Sequence, residues 1–147
     1  KYNMNDLMAA IGIAQLKKIN ILNKKRSNIL KKYLSGIKNC KYIKPAYPYM
    51  LKNSSYWLFS VKTKYRDELI NFMKLRNIST AVHFVPLPLN KIYKKYNKNL
   101  KNAMKVWKNI VSLPFFPDLE NKKINYIINC LNQFDKKINN FKNYENI

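Results

Sequence analysis

The feature that most constrains this 147-residue chain is a run near its start that is helical in pattern but apolar almost all round. Residues 5–20 carry Leu7, Met8, Ile11, Ile13, Leu16 and Ile19, and Asn5 or Asp6 can cap the start. A helix without a polar face is expected to be buried. Ala9, Ala10, Gly12 and Ala14 are small and would let another backbone approach closely. A chain of this length builds one modest core. Covering such a helix therefore calls for another domain, another subunit, or both.

The remaining elements are more ordinary. Residues 22–38 predict a second, more polar helix with Ile29, Leu30, Tyr33, Leu34 and Ile37 as its buried stripe and Gly36 as a C-cap. Residues 40–53, with Pro45 and Pro48, read as an irregular link. Tyr56 to Lys62 is aromatic and β-branched, as a strand should be. Leu69, Phe72, Met73 and Arg76 recur at helical spacing over 66–76. A strand is expected over Thr80–Val85, ended by Pro86 and Pro88. A helix over 100–110 leads into the short extended segment 111–113. The last helix spans 120–138, with Ile124, Ile127, Ile128, Leu131 and Phe134 facing inward and a polar, frayed tail from Asn139. Strands alternating with helices after a helical pair give a two-layer α/β domain.

The formal charge of +22 invites a nucleic-acid surface. The residue types argue against it: 26 of the cations are Lys and only Arg26, Arg66 and Arg76 can form the planar bidentate fork that base and phosphate readers favour. Asn at 22 and Ile at 16 are equally over-used, and Lys, Asn, Ile and Tyr share AT-rich codons, so genome composition explains the lysines. A stand-alone basic module for nucleic acid or anionic surfaces is the alternative reading. No apolar run approaches the ~20 residues of a membrane span. Cys40 and Cys130 have no zinc spacing and read as two reduced thiols, which suits the cytoplasm. The chain opens on Lys1 rather than Met, with no signal-peptide pattern, as a gene fragment or an expression boundary would give.

Little in the residues alone carries chemistry. The seven carboxylates form no pair; Asp67, Glu68, Asp118 and Glu120 sit where they would complement helix starts. With only Gly12 and Gly36 there is no phosphate loop, and no metal cluster is spelled out. His83, the one histidine, stands at the end of a strand before two prolines, a place that suits a site or a merely structural ring. The aromatic set Tyr56, Trp57, Phe59, Phe84, Phe115 and Phe116 alternates as core residues do, although base stacking is the other use of such residues.

Three ordered segments resemble the DegT/DnrJ/EryC1/StrS sugar aminotransferases. Lys1-Tyr2-Asn3-Met4 followed by Ala9-Ala10-Ile11-Gly12 and Gln15-Leu16 is similar to the family's Gly-Tyr-Lys-Tyr-Asn-Met, Ala-Ala-Ile-Gly and Gln-Leu. The strand Ser54–Val61 and Asn77-Ile78-Ser79-Thr80-Ala81-Val82-His83-Phe84-Val85-Pro86-Leu87 resemble its Gly-Ile-x-Thr-x-Val-His-Tyr/Phe-x-Pro-Leu segment. Ser112-Leu113-Pro114-Phe115-Phe116-Pro117 resembles its Ser-Leu-Pro-Leu-Phe-Pro.

The resemblance implies the small C-terminal domain of a fold type I pyridoxal 5'-phosphate-dependent transferase, preceded by a buried interdomain helix. Residues 1–38 would lead to a large domain and a homodimer interface, residues 39–138 would be the small domain, and 139–147 a polar tail. It implies transfer of an amino group from glutamate to a nucleotide-linked keto-sugar, in amino-sugar biosynthesis for cell-surface glycans. No lysine here matches the cofactor-lysine motif, so the chain alone is expected to be inactive, to bind no cofactor and to hold no catalytic residue. Lys1, at a place often Asn in the family, would reach the cofactor phosphate of the neighbouring subunit, with Asn3 beside it. His83 matches the histidine near the sugar-binding rim. Asn90 and Tyr93 would line the same loop, and Pro88 stands where a second histidine is common. Trp57 occupies a place where some relatives carry His, and is expected in the core.

Overall fold

A single helix, α1, runs unbroken over Asp6–Gly36, where the sequence predicts two. The change of composition near residue 21 misled: Asn20-Ile21-Leu22-Asn23 holds neither proline nor glycine, so nothing interrupts the backbone ladder. Asn5 caps it, its Oδ1 accepting the Met8 N–H at 2.9 Å. The computed structural model describes residues 3–47, 54–96 and 100–144.

Three strands follow: β1 (Lys44–Pro45), β2 (Phe59–Lys62) and β3 (Ile110–Leu113), antiparallel in the order β1-β2-β3. Between β2 and β3 come α2 (Arg66–Lys74), two short 3-10 turns over Leu87–Leu89 and Lys91–Tyr96, and α3 (Lys101–Asn109). Helix α4 (Asn121–Tyr144) closes the chain. Register decides what each face carries. Phe59 pairs with Leu113 and Val61 with Val111, all facing the helices, while Ser60 pairs with Ser112 on the opposite face.

The core lies between that apolar face and the helices. It joins Ile29, Leu30 and Tyr33 of α1, Leu69 and Met73 of α2, and Ile124, Ile127, Leu131 and Phe134 of α4. Tyr33 is fully buried, stacks on Phe59 with centroids 4.7 Å apart and planes 5° apart, and donates its hydroxyl to the Pro114 carbonyl at 2.9 Å. The loop after α1 is held by Asp135 of α4, whose carboxylate accepts the N–H groups of Lys41, Tyr42 and Ile43 at 2.8, 2.6 and 3.2 Å. Helices on one face of a small sheet make the two-layer α/β architecture expected.

The apolar half of α1, expected to be covered by another domain or subunit, is bare within this chain: Leu7 is exposed at 71%, Leu16 at 67% and Ile21 at 63%. Its first fully buried residue is Ile29, Leu22 and Arg26 are partly buried, and at ~1.5 Å per residue the bare stem over 6–21 is roughly 24 Å long. Among the described residues none covers it. Several local expectations do fail, for identifiable reasons. The link over 40–53 contains β1, which Pro45 disguised; proline is tolerated on an edge strand. The strand expected over Thr80–Val85 is a single bridge, Ala81 to Ser112. Phe84 and Val85 are exposed at 70% and 59%, so residue types suited to a strand here form a surface wall. Trp57 at 68% and Phe116 at 49% likewise leave the core that was expected to hold them. The tail expected from Asn139 is helical as far as Tyr144. Asp118 does not serve helix α4; it pairs with Lys25 of α1 at 2.7 Å.

Gly36 is the last helical residue of α1 rather than a left-handed cap, and its φ is ordinary. It is there for close approach: a Cβ would lie 2.5 Å from Ile128 Cγ2 of α4. Gly12 has open space around it. Gly36→Ala should therefore destabilise by about 1–3 kcal/mol through overpacking. Gly12→Ala should stabilise the chain by about 0.5–1 kcal/mol by favouring the helix. Urea unfolding of both variants checks the opposite signs.

Burial also sets an alkaline limit. The Cys40 thiol is pushed up to about 11 by burial and then by the Asp135 carboxylate, with Lys44 pulling the other way. The Tyr33 hydroxyl is raised by burial alone. Folded chains thus keep protons that unfolded chains release, so this stability is whole below the ordinary thiol value of 9.0 and is lost as pH rises past about 11. The urea midpoint should fall across that window, and Cys40→Ala should make the fall shallower.

Candidate functional site

The site is built on the sheet face turned away from the helices. Helix α2 is followed by a turn that reaches Asn77, at φ 57°, after which the Ile78 N–H returns to the Met73 carbonyl at 3.0 Å. Asn tolerates this left-handed geometry, and it occupies the glycine position of the motif noted above. The chain then runs antiparallel beside β3. Ala81 and Ser112 exchange both backbone hydrogen bonds, at 3.1 and 2.7 Å.

That pairing brings His83 over the Ser112 side chain. Its Nδ1 lies 3.1 Å from Ser112 Oγ, which lies 2.8 Å from Ser60 Oγ on β2. Both serines are buried, at 5% and 4% exposure, and His83 is half-buried. The ring stands between aromatic neighbours, with the Phe84 centroid at 5.1 Å and the Trp57 centroid at 6.5 Å. The partner on Nδ1 is a hydroxyl, not a carboxylate, so it orients the imidazole without adding charge. One ring nitrogen is anchored and the other is left to exchange a hydrogen bond with a ligand. Trp57 and Phe84, the two aromatic neighbours of the ring, are exposed and give this face an apolar rim. Apolar surface of that kind marks a place that meets a ligand or another surface.

The other predicted residues are placed separately. Asn90 and Tyr93 come together in one turn: the Asn90 carbonyl accepts the Tyr93 N–H at 3.0 Å and the Asn90 Oδ1 accepts the Ile92 N–H at 3.2 Å. The side-chain oxygen of Asn90 thus shapes its own loop. Tyr93 is 43% exposed. Among the described residues no hydrogen bond joins either of them to His83. Asn3 is exposed, two residues before the Asn5 cap at the far end of the stem; Lys1 lies outside the described residues. The sequence reading missed Ser60 and Ser112. Their signal was a serine inside each of two short apolar strands, Phe-Ser-Val-Lys and Ile-Val-Ser-Leu.

Residues 1–132 match the DegT/DnrJ/EryC1/StrS aminotransferase family. The chain belongs to this family. All three motif segments fall inside the matched range. MJ1066, an uncharacterized protein of Methanocaldococcus jannaschii, is 35% identical over 89% of the chain, which covers 36% of that protein. Among solved structures, Spr1654 of Streptococcus pneumoniae, assigned as a sugar aminotransferase, superposes in its apo form with a TM-score of 0.83 at 26% identity. It covers 96% of the chain, and the chain covers 37% of it. The same protein is known in forms with PLP and PMP. DesV of S. venezuelae, solved with a ketimine intermediate, gives a TM-score of 0.82 at 27% identity over 90% of the chain and 37% of DesV. The chain thus spans little more than a third of these relatives and has the fold of one piece of an aminotransferase.

Among the described residues no helix is long and apolar enough to cross a membrane, and no three His, Cys, Asp or Glu side chains gather as a metal site. Pyridoxal phosphate needs an amine to condense with and a cradle for its phosphate. Asn3 lies at the end of the stem, and the cavities beside Phe141 and beside Tyr65 are not lined by Asn3, His83, Asn90 or Tyr93.

Ser112→Ala removes the hydroxyl on His83 Nδ1 and should cost about 1 kcal/mol of stability. Because His83 is the sole histidine, long-range proton–nitrogen spectra of the imidazole read it cleanly. One tautomer should dominate in the wild type and a mixture should appear in Ser112→Ala; unchanged nitrogen shifts would show that the serine does not orient the ring.

Proposed function

We propose that this chain is the C-terminal part of a pyridoxal phosphate-dependent aminotransferase that moves an amino group from glutamate to a nucleotide-linked keto-sugar, for the amino sugars of cell-surface glycans. The observation that carries the reading is a family fold across almost the whole chain that accounts for only 37% of a solved relative, with an apolar stem left bare. In this reading residues 1–38 lead to the large domain, which supplies the cofactor lysine and most of the phosphate cradle. Residues 39–138 are the small domain, and 139–147 extend α4 and the tail beyond it.

The exposed stem, with Leu7, Ile11 and Leu16, is the surface that a large domain and a second copy would cover in a homodimer. A stem of that kind would let Lys1 and Asn3 serve the cofactor phosphate of the neighbouring subunit. Lys1 would act there as a point charge. His83, held by Ser112, forms the sugar-side wall with Asn90 and Tyr93. Its other ring nitrogen would meet a sugar hydroxyl, and the rim of Trp57 and Phe84 would help keep water from it. Pro88, where a second histidine is common, leaves that wall with one imidazole instead of two. No general acid or base is assigned within the chain. Two buried free thiols support a reducing compartment, the cytoplasm.

Borohydride trapping tests the division of labour. The chain alone should give no stoichiometric adduct with pyridoxal phosphate at any one lysine, only the scattered reaction of an accessible lysine-rich surface. The protein carrying the upstream large domain should give one adduct, at a lysine outside residues 1–147. A stoichiometric adduct within this chain would contradict the proposal. In the longer protein His83→Ala should raise KM for the sugar substrate about 10–100-fold while leaving the half-reaction with glutamate unchanged, the pattern of a lost substrate contact.

A further inference from the structure

Away from the His83 face, a cavity of about 750 Å³ opens where β1 and β2 meet α3 and the end of α4. Six of its thirteen lining residues are lysines, Lys41, Lys44, Lys62, Lys64, Lys105 and Lys142, against 26 of 147 in the chain. That density is more than twice the average, so general lysine use does not account for it. Among the described residues no carboxylate lines the cavity, and Lys25–Asp118, Arg66–Asp67 and Lys123–Glu120 pair elsewhere. Lys142 is set aside because it has a partner of its own; the other five lysines still make up more than a third of the lining.

Lys44 and Lys62 stand directly opposite each other across β1 and β2, a pairing that like charges disfavour. Lys44 donates to the Cys40 carbonyl and Lys41 to Asn139 Oδ1 at 3.4 Å. These neutral acceptors hold the ammonium groups without cancelling them. Asp135, which fixes the 41–43 loop, already accepts three backbone N–H groups. Between the lysines, Tyr42 and Tyr65 meet edge to face with centroids 5.9 Å apart, and Val106 and Ile110 add apolar lining.

Like charges around a low-dielectric concavity focus potential onto a small counter-ion. The volume is that of a small-molecule site, too small for a polymer to enter. Ammonium groups act as point charges that suit phosphate oxygens from several directions. We propose that this cavity binds a compact oligophosphate, with the tyrosines offering ring surface to a base when the phosphate chain carries one. The proposal rests on the cavity alone and is independent of the aminotransferase reading.

Calorimetric titration of the protein with inorganic tripolyphosphate and with ATP tests it. One-to-one binding is expected, weakening as salt rises. The double variant Lys62→Gln/Lys105→Gln should lose about tenfold or more in affinity, since two charges facing the ligand are removed. Lys24→Gln/Lys31→Gln, which removes the same charge from exposed positions on α1, should lose less than about threefold. Backbone amide shifts on binding should cluster at 62–65 and 105–110, which reads the site without any variant. Equal losses from both double variants, binding of many anions per chain, or scattered shifts would overturn the proposal, as would no binding. Tighter binding of ATP than of tripolyphosphate identifies a nucleotide as the ligand, equal affinity identifies a free phosphate chain, and weaker ATP binding overturns the part given to the tyrosines.

Discussion

One buried side chain, Tyr33, joins α1 to the sheet. Its ring lies flat on Phe59 of β2 and its hydroxyl reaches the Pro114 carbonyl just past β3, so the end of α1, the central strand and the turn after the last strand are fixed together. A buried phenol needs a hydrogen-bond partner, and Pro114 has no N–H with which to continue the sheet, so its carbonyl is free to accept. Once Phe59 faces the helices, strand alternation decides the rest: Ser60 must face away, and with it Ser112. A slip of one residue would bury the serines and turn the aromatic outward. The His83 face is thus a consequence of how the core is packed on the other side.

Helix α4 completes the clamp by polar means. Asn132 donates to the Gly36 carbonyl at 3.0 Å and Asp135 gathers the loop that follows. Gly36 lets the two helices come close enough for both contacts. The helix end and the loop that leads into β1 are held by hydrogen bonds from one neighbour, and the lysine-lined cavity beside that loop takes its shape from the same anchoring.

How much of this was legible depends on what each residue's neighbours are. Helices α2 and α4 and strands β2 and β3 were readable, because Leu69, Met73, Ile124, Leu131, Phe59 and Val111 repeat with the period of elements packed on a core of this same chain. The stem of α1 was legible as an apolar helix too large for this chain to cover, and within the chain it is bare. Trp57 and Phe84 misled, because sequence reports what a surface wants, not whether this chain supplies it. The edge strand hid behind Pro45, and the continuity of α1 behind a shift of composition that carries no backbone penalty. Within the candidate site, His83 was found through a motif, whereas Ser60 and Ser112 required the register of β2 against β3, which only the folded chain sets. Asn77 was visible as a departure from the motif, and its left-handed backbone explains why glycine or asparagine belongs there.

The bare stem of α1 has a consequence for timing. Before Ile29 the helix has no fully buried residue, and helices in proteins draw most of their stability from packing an apolar face. On the proposed reading, the segment bearing Lys1 and Asn3 acquires a fixed position only when another surface closes over the stem. Assembly would then be a precondition for a complete cofactor pocket and not merely a way of enlarging the molecule. A newly made subunit would stay idle until it met its partner, and the supply of partner chains would govern when activity begins.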